Sequence, residues 1–163
     1  MLIESYLQQY ERMTRFLKRL ENQNRDQQDY VDDMWSFFQH CFHLKDWIKN
    51  DPQISPDIGS KIEEKINASQ TLKIIADLAN RSKHFRLDKK REDANLTGVG
   101  VTIEVPVLSI SPEKKEANSE SSKSKYHITI KTANSHTFDG LQLAKDAVKE
   151  WDRIFEEFDI KKS

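Results

Sequence analysis

Residues 71–88 read TLKIIADLANRSKHFRLD, and the spacing of apolar and polar residues in this stretch predicts an amphipathic α-helix. At about 100° per residue, the apolar side chains share one wide arc, which consists of Leu72, Ile74, Ile75, Ala76, Leu78 and Ala79. Polar side chains recur on the opposite side at i, i+3, i+4 and i+7, and these are Asp77, Asn80, Arg81 and His84. The stretch therefore predicts a helix packed in a helical core, and its polar strip is the best candidate for a chemical site.

Two interpretations of this polar strip are open. In the first, His84 is a general acid or base near neutral pH, and Arg81 or Lys83 stabilises the charge on a phosphate during cleavage. His43, on an earlier helix, completes the pair if the two helices are neighbours. In the second, the strip is a solvated helix end, where Arg81, Lys83 and His84 complement the negative end of the helix dipole.

Four other segments have the spacing of apolar residues, every three to four positions, that predicts core-facing helices. The first covers residues 2–22, and the second covers about 28–50 with an apolar arc broad enough for a central helix. Ser55, followed by a proline and an acid, predicts the start of a short third helix. Ser69 can cap the helix that contains the opening stretch, and Asp139 begins the last helix.

The second helix has a polar side of its own, which carries Ser36, His40, His43, Asp46 and Trp47. His40 and His43 lie one turn apart with Asp46 below them, so a metal site is one alternative. Metal sites in helical bundles commonly use an inward Glu-x-x-His pair, and this sequence has none. Cys41 is the single cysteine, which excludes an intrachain disulfide and a cysteine-based zinc site. We expect no metal site and no cofactor.

The apolar period changes from 3.6 to 2 after Gly98, which predicts a β-hairpin inserted over residues 98–132. Its two strands are expected near residues 99–107 and 126–131. The segment between them is rich in Ser, Lys and Glu and buries too little apolar surface to offset its ordering entropy. We therefore expect residues 111–124 to be a mobile loop.

The chain length and the amino-acid composition fit a small helix-rich protein. The chain has 163 residues with 26 basic and 27 acidic side chains, so its formal charge of −1 selects neither nucleic acid nor an anionic membrane. No window reaches the roughly 18 apolar residues of a membrane span, and we expect a cytoplasmic protein with no membrane partner. The prediction is one mainly α domain over residues 1–163, a bundle of about five helices with the hairpin before the last.

The order of these parts resembles a family through four short motifs. They are HLKDW at residues 43–47, DLAN at residues 77–80, KHFRL at residues 83–87, and Trp151 in the closing helix. Together they are similar to the HEPN class of small helical bundles from bacteria and mobile elements. The resemblance implies a bundle of four to five helices, RNA as partner, and a dimer that cleaves RNA without a metal.

One family feature is missing: HEPN nucleases have an arginine, four to six residues, then a histidine, whereas Arg81 and His84 have two residues between them. The sequence thus leaves open whether the protein is an enzyme. The first hypothesis is an RNA-binding or ribonuclease-like protein, and the alternative is a non-catalytic module whose open hairpin edge pairs with a protein partner. The candidate catalytic residues are His84, Arg81, Asn80, His43 and Asp46, and the candidate binding residues are Lys83, Asp77 and Arg86. We also expect the second and fourth helices to pack side by side, with their polar strips facing each other.

Overall fold

The computed structural model describes residues 4–83, 100–104, 126–132 and 135–162. Two of the candidate site residues, His84 and Arg86, lie outside these ranges. The expected mobile loop, residues 111–124, also lies outside them.

The described part of the chain contains five helices, in agreement with the predicted mainly α bundle. They are α1 (Tyr6–Glu21), α2 (Gln27–Asn50), α3 (Pro56–Ala68), α4 (Gln70–Lys83) and α5 (Gly140–Glu157). The first helix starts later than expected, because Glu4 and Ser5 are not helical. The predicted extension of the fourth helix to residue 88 lies outside the described residues.

The strand region is a three-stranded antiparallel sheet in the order β1–β2–β3. Strands β1 (Gly100–Glu104) and β2 (His127–Lys131) form the hairpin that the sequence predicted before the last helix. Strand β3 (Thr137–Asp139) was not predicted, because three residues are too few to display a period of two. It pairs with β2 and leads directly into α5, so the sheet is joined to the bundle at that point.

Helix α2 is the central helix, as its broad apolar arc predicted. It packs against α1, α3, α4 and α5. Its side chains Phe37, Phe38, Cys41, Leu44 and Ile48 are buried in one core together with Trp151 of α5. A helix with neighbours on several sides needs apolar residues on most of its circumference.

The sheet is anchored to the loop between α1 and α2. The Tyr126 hydroxyl donates to the backbone carbonyl of Arg25 at 2.5 Å, and the Tyr126 backbone N–H donates to the Gln23 side-chain oxygen at 2.9 Å. The rings of Tyr126 and Tyr30 lie 5.2 Å apart. These contacts explain how a hairpin that is marginal alone becomes part of the fold.

Two of the three residues predicted at helix starts, Ser69 and Asp139, form side-chain capping bonds, and Asp26 forms a further one that was not predicted. Asp26 accepts from the backbone of α2, Asp139 accepts from Gln142 at 2.8 Å, and Ser69 accepts from Leu72 at 3.3 Å. Ser55 is the exception: it precedes α3 as predicted, but its hydroxyl forms no capping bond.

Lys45 lies within the apolar arc of α2 and ends in an ion-pair cluster. Its ammonium is 2.9 Å from a Glu63 carboxylate oxygen on α3 and 3.1 Å from an Asp46 oxygen. It also lies over the ring of Phe42, 4.9 Å from the centroid. Lys45 therefore joins α2 to α3.

Candidate functional site

Helices α2 and α4 pack side by side, as expected, but Asn80 of the α4 polar strip does not face α2. One polar contact between them is made by Ser82, whose hydroxyl oxygen accepts a hydrogen bond from Gln39 of α2 at 2.9 Å. Ser82 lies five residues after Asp77, which is roughly 140° around the helix. Asn80 is exposed to solvent. The expectation that the two strips face each other is therefore wrong for Asn80, because the apolar side of α4 occupies the interface.

Asp77 and Arg81 are neighbours at i and i+4 on α4, and both are partly buried. Burial raises the pKa of Asp77, while the positive charges of Arg81 and Lys73 oppose that shift. Among the other candidates, the side chain of Lys83, together with His84 and Arg86, lies outside the described part. Their proposed roles stay predictions.

The two candidate residues on α2 occupy different surroundings. Asp46 pairs with Lys45 and lines a cleft of about 290 Å³ between the start of α1 and the end of α2, where Trp47 forms a wall. His43 lies close enough to His40 to disfavour a second positive charge there. His43 therefore belongs to a surface that α2 shares with α1.

This shared surface interleaves cations and aromatic rings. The Arg12 guanidinium of α1 lies over the Trp47 ring, 5.2 Å from the centroid, and Arg19 lies over Phe16 at the same distance. The Phe16 ring stacks on the His40 ring, with centroids 5.1 Å apart and planes inclined by 15°. We name this the α1–α2 surface; it consists of Arg12, Arg15, Phe16, Arg19, His40, His43 and Trp47.

Helical spacing places these residues together. On α1, positions 12, 16 and 19 follow one another at i, i+4 and i+7, which is one side of a helix. On α2, positions 40, 43 and 47 follow one another at i, i+3 and i+7, which is also one side of a helix. The sequence indicated a polar side on α2, but for α1 it predicted only a core-facing helix. The spacing of three to four residues on each helix was the signal in the sequence that could have indicated this surface. Only the packing of α1 against α2 brings the two rows of side chains together.

The α1–α2 surface has an excess of positive charge. Arg15 pairs with Glu11 at 3.7 Å, and both side chains are exposed. Arg19 pairs with Asp33 at 3.0 Å, and Arg25 contacts the same carboxylate. Arg12 forms no ion pair with a carboxylate within the described ranges. The three arginines of the surface and the neighbouring Arg25 thus face two carboxylates in these pairs, Glu11 and Asp33.

The surface also favours the neutral form of His40. Burial lowers the pKa of His40 from its ordinary value, and the positive charges of Arg12, His43 and Arg15 lower it further. A neutral imidazole stacked on Phe16 adds a flat ring without adding charge. Guanidinium groups bind phosphate oxygens and aromatic faces stack on bases, so this arrangement can bind a nucleic-acid strand.

The described residues contain no group of three His, Cys, Asp or Glu side chains placed to hold a metal ion. Cys41 is fully buried, and burial raises the pKa of its thiol to about 12, which leaves it unreactive. Among the helices described, none is long and apolar enough to cross a membrane.

No family model, curated protein or solved structure matches the chain. The HEPN-like resemblance, the RNA partner and the dimer therefore stay predictions.

Proposed function

We propose that the protein binds single-stranded RNA across the α1–α2 surface. The observation that carries this proposal is the alternation of arginine and aromatic side chains on one face of the bundle. Arg12 lies beside Trp47, and Arg19 lies beside Phe16 and His40. The similarity of the short motifs to HEPN proteins favours RNA over DNA.

The arginines supply the affinity for phosphates. Each guanidinium that neutralises a phosphate releases condensed counterions, which makes binding favourable and dependent on salt. The Arg15 side chain is 62% exposed and the Arg19 side chain is 58% exposed, so both are accessible to a strand. Arg12 is held in place by the Trp47 ring, which orders its guanidinium before a ligand arrives.

The aromatic side chains favour a single strand over a duplex. Unpaired bases can leave their stack and lie on Phe, Trp or His rings, whereas the bases of an RNA duplex stay paired and stacked on one another. Phe16, His40 and Trp47 are each only partly buried. Binding across this surface does not require cleavage, so the proposal stands whether or not the α4 residues act as a nuclease.

Neutralising either member of one exposed ion pair, Arg15 or Glu11, tests the proposal. We would measure fluorescence anisotropy of a labelled RNA strand of about 10 nucleotides over a range of salt concentrations. Arg15→Gln is expected to weaken binding and to lower the slope of log Kd against log salt by about 0.7, because one phosphate contact is lost. Glu11→Gln removes the opposing charge on the same pair and is expected to tighten binding.

The matched control is Arg153→Gln, which removes from α5 an arginine that is also exposed and also paired with a glutamate on its own helix. It is expected to leave the affinity and the salt slope unchanged. Equal losses from Arg15→Gln and Arg153→Gln would mean that binding follows net charge alone, and the proposed surface would be wrong. Tighter binding of a duplex, or equal affinity for a DNA strand of the same sequence, would contradict single-stranded RNA as the ligand.

A further inference from the structure

Gln9 of α1 is a buried amide, 2% exposed, that forms two contacts with His40 of α2. Its side-chain nitrogen donates to the His40 backbone carbonyl oxygen at 3.0 Å. The same nitrogen lies 3.1 Å from Nδ1 of the His40 ring. On its other side, the Gln9 oxygen accepts from Arg12 Nη1 at 3.4 Å.

These contacts determine the tautomer of His40. A carbonyl oxygen can only accept, so the Gln9 atom facing it must be the amide nitrogen. That nitrogen carries two protons and no lone pair for accepting, so it also donates to Nδ1. Nδ1 is therefore unprotonated, and in a neutral imidazole the proton then lies on Nε2.

Nε2 is the ring nitrogen left for a ligand. Among the described residues, no hydrogen-bond partner contacts it. The ring is fixed in orientation by Gln9 on one edge and by the Phe16 face, 5.1 Å away. The charged and titratable groups that act on His40 are Arg12 and Arg15 from α1 and His43 from its own helix.

We propose that His40 is an RNA-binding residue whose neutral Nε2–H donates to a phosphate oxygen, with Gln9 as the positioning residue that fixes the donor tautomer. This inference rests on the proposed function of the α1–α2 surface. The same geometry gives His40 no lone pair at Nε2, so His40 binds the strand and does not take a proton from it. A neutral donor adds affinity without releasing a counterion, which distinguishes its contribution from that of an arginine.

The tautomer can be measured directly and without RNA. Nitrogen-15 shifts of the labelled imidazoles at neutral pH are expected to show His40 as the Nε2–H form. Gln9→Met, which keeps the side-chain length but removes the amide, is expected to give a mixture of the two tautomers. A wild-type His40 that carries its proton on Nδ1, or that already averages between the forms, would overturn the inference.

The binding role is tested with the same RNA strand and salt series as above. His40→Leu is expected to weaken binding roughly three- to tenfold, the loss of one neutral hydrogen bond, with the salt slope unchanged. His40→Gln can place an amide N–H near the lost Nε2–H and is expected to recover part of that loss. Circular dichroism melting of both variants verifies that they fold.

The outcomes separate the two proposals. If Arg15→Gln weakens binding while His40→Leu does not, the RNA surface stands and the role of His40 is wrong. If His40→Leu lowers the salt slope as an arginine variant does, His40 acts as a cation and the neutral-donor inference is overturned. If neither variant affects binding, the proposed function itself fails.

Discussion

The carboxylate of Asp51, at the end of α2, accepts a hydrogen bond from the backbone N–H of Tyr6 at 3.1 Å, the first residue of α1. The two residues are 45 positions apart, and the contact caps α1 with a side chain from another element. Ser5, the residue that precedes α1, forms no side-chain capping bond. The first backbone N–H of α1, which has no local capping side chain, thus finds its acceptor in the tertiary structure.

Asp51→Ala is expected to lower the free energy of unfolding by about 2 kcal/mol, because the buried Tyr6 N–H loses its acceptor. The Gln53 backbone N–H, which donates to the other Asp51 oxygen at 2.9 Å, loses its partner too. Ser5→Ala is the control and should change the free energy of unfolding by less than about 0.5 kcal/mol. Urea denaturation of wild type, Asp51→Ala and Ser5→Ala measures both changes in the free energy of unfolding. A larger loss for Ser5→Ala than for Asp51→Ala would show that the cap is local after all.

The stability of the protein is expected to fall on acidification through His40. Its folded pKa is depressed below the ordinary 6.5 by burial and by Arg12, His43 and Arg15, so the folded state binds fewer protons than the unfolded chain. The contribution of neutral His40 to the free energy of unfolding is complete above about pH 6.5 and is lost as the pH falls through the folded pKa. We would measure the free energy of unfolding of wild type and His40→Gln by urea denaturation across this pH range. The difference between the two free energies should be constant near neutral pH and shrink at lower pH. Parallel pH profiles would contradict the depressed pKa.

Asp77→Asn is expected not to destabilise the protein at neutral pH, and to stabilise it slightly. Burial raises the folded pKa of Asp77 despite Arg81 and Lys73, so the fold disfavours the charged carboxylate relative to the unfolded chain. This penalty is present above the folded pKa and disappears as the pH falls towards the ordinary 3.8. The measurement is the free energy of unfolding at neutral pH.

Asp33→Asn is the contrasting change to a buried carboxylate. Asp33 is 5% exposed and pairs with both Arg19 and Arg25, so the neutral amide removes the charge from two ion pairs at a buried carboxylate. The free energy of unfolding is expected to fall by about 3 kcal/mol. If Asp77→Asn destabilised the protein as much as Asp33→Asn, Asp77 would be a structural ion-pair residue rather than an unfavourably buried acid.

Two glycines are expected to respond in opposite directions to alanine. At Gly140, the start of α5, a Cβ would lie 3.1 Å from both the Cβ and the backbone oxygen of Ile128 on β2. Gly140→Ala must therefore push α5 away from the sheet, at a cost of about 1–3 kcal/mol. At Gly59 the nearest atom is Cγ of the exposed Lys49 side chain, which can move aside. Gly59→Ala should raise the free energy of unfolding by up to about 1 kcal/mol, since alanine favours the helix. Thermal melting of the two variants compares them, and equal destabilisation would contradict this packing.

The sequence by itself determined the five helices, the pairing of two strands and much of the core, but not strand β3. The helical period of residues 71–88 and the broad apolar arc of the second helix each follow from which side chains avoid water, so α4 and the central position of α2 were predictable. The switch to a period of two predicted the pairing of β1 with β2 in the same way. Local chemistry likewise predicted Asp139 and Ser69 at the starts of helices.

Only the tertiary structure decided which polar strips meet. Periodicity predicts which residues share a face of a helix, but not how that helix is rotated relative to its neighbour. The apolar side of α4 set its rotation. As a result, Ser82 contacts α2 and Asn80 is exposed to solvent. The same packing brought the arginines of α1 beside His40 and Trp47 of α2, positions more than 20 residues apart in the chain. Contacts between distant residues depend on how the whole core fills space, and no local pattern specifies that.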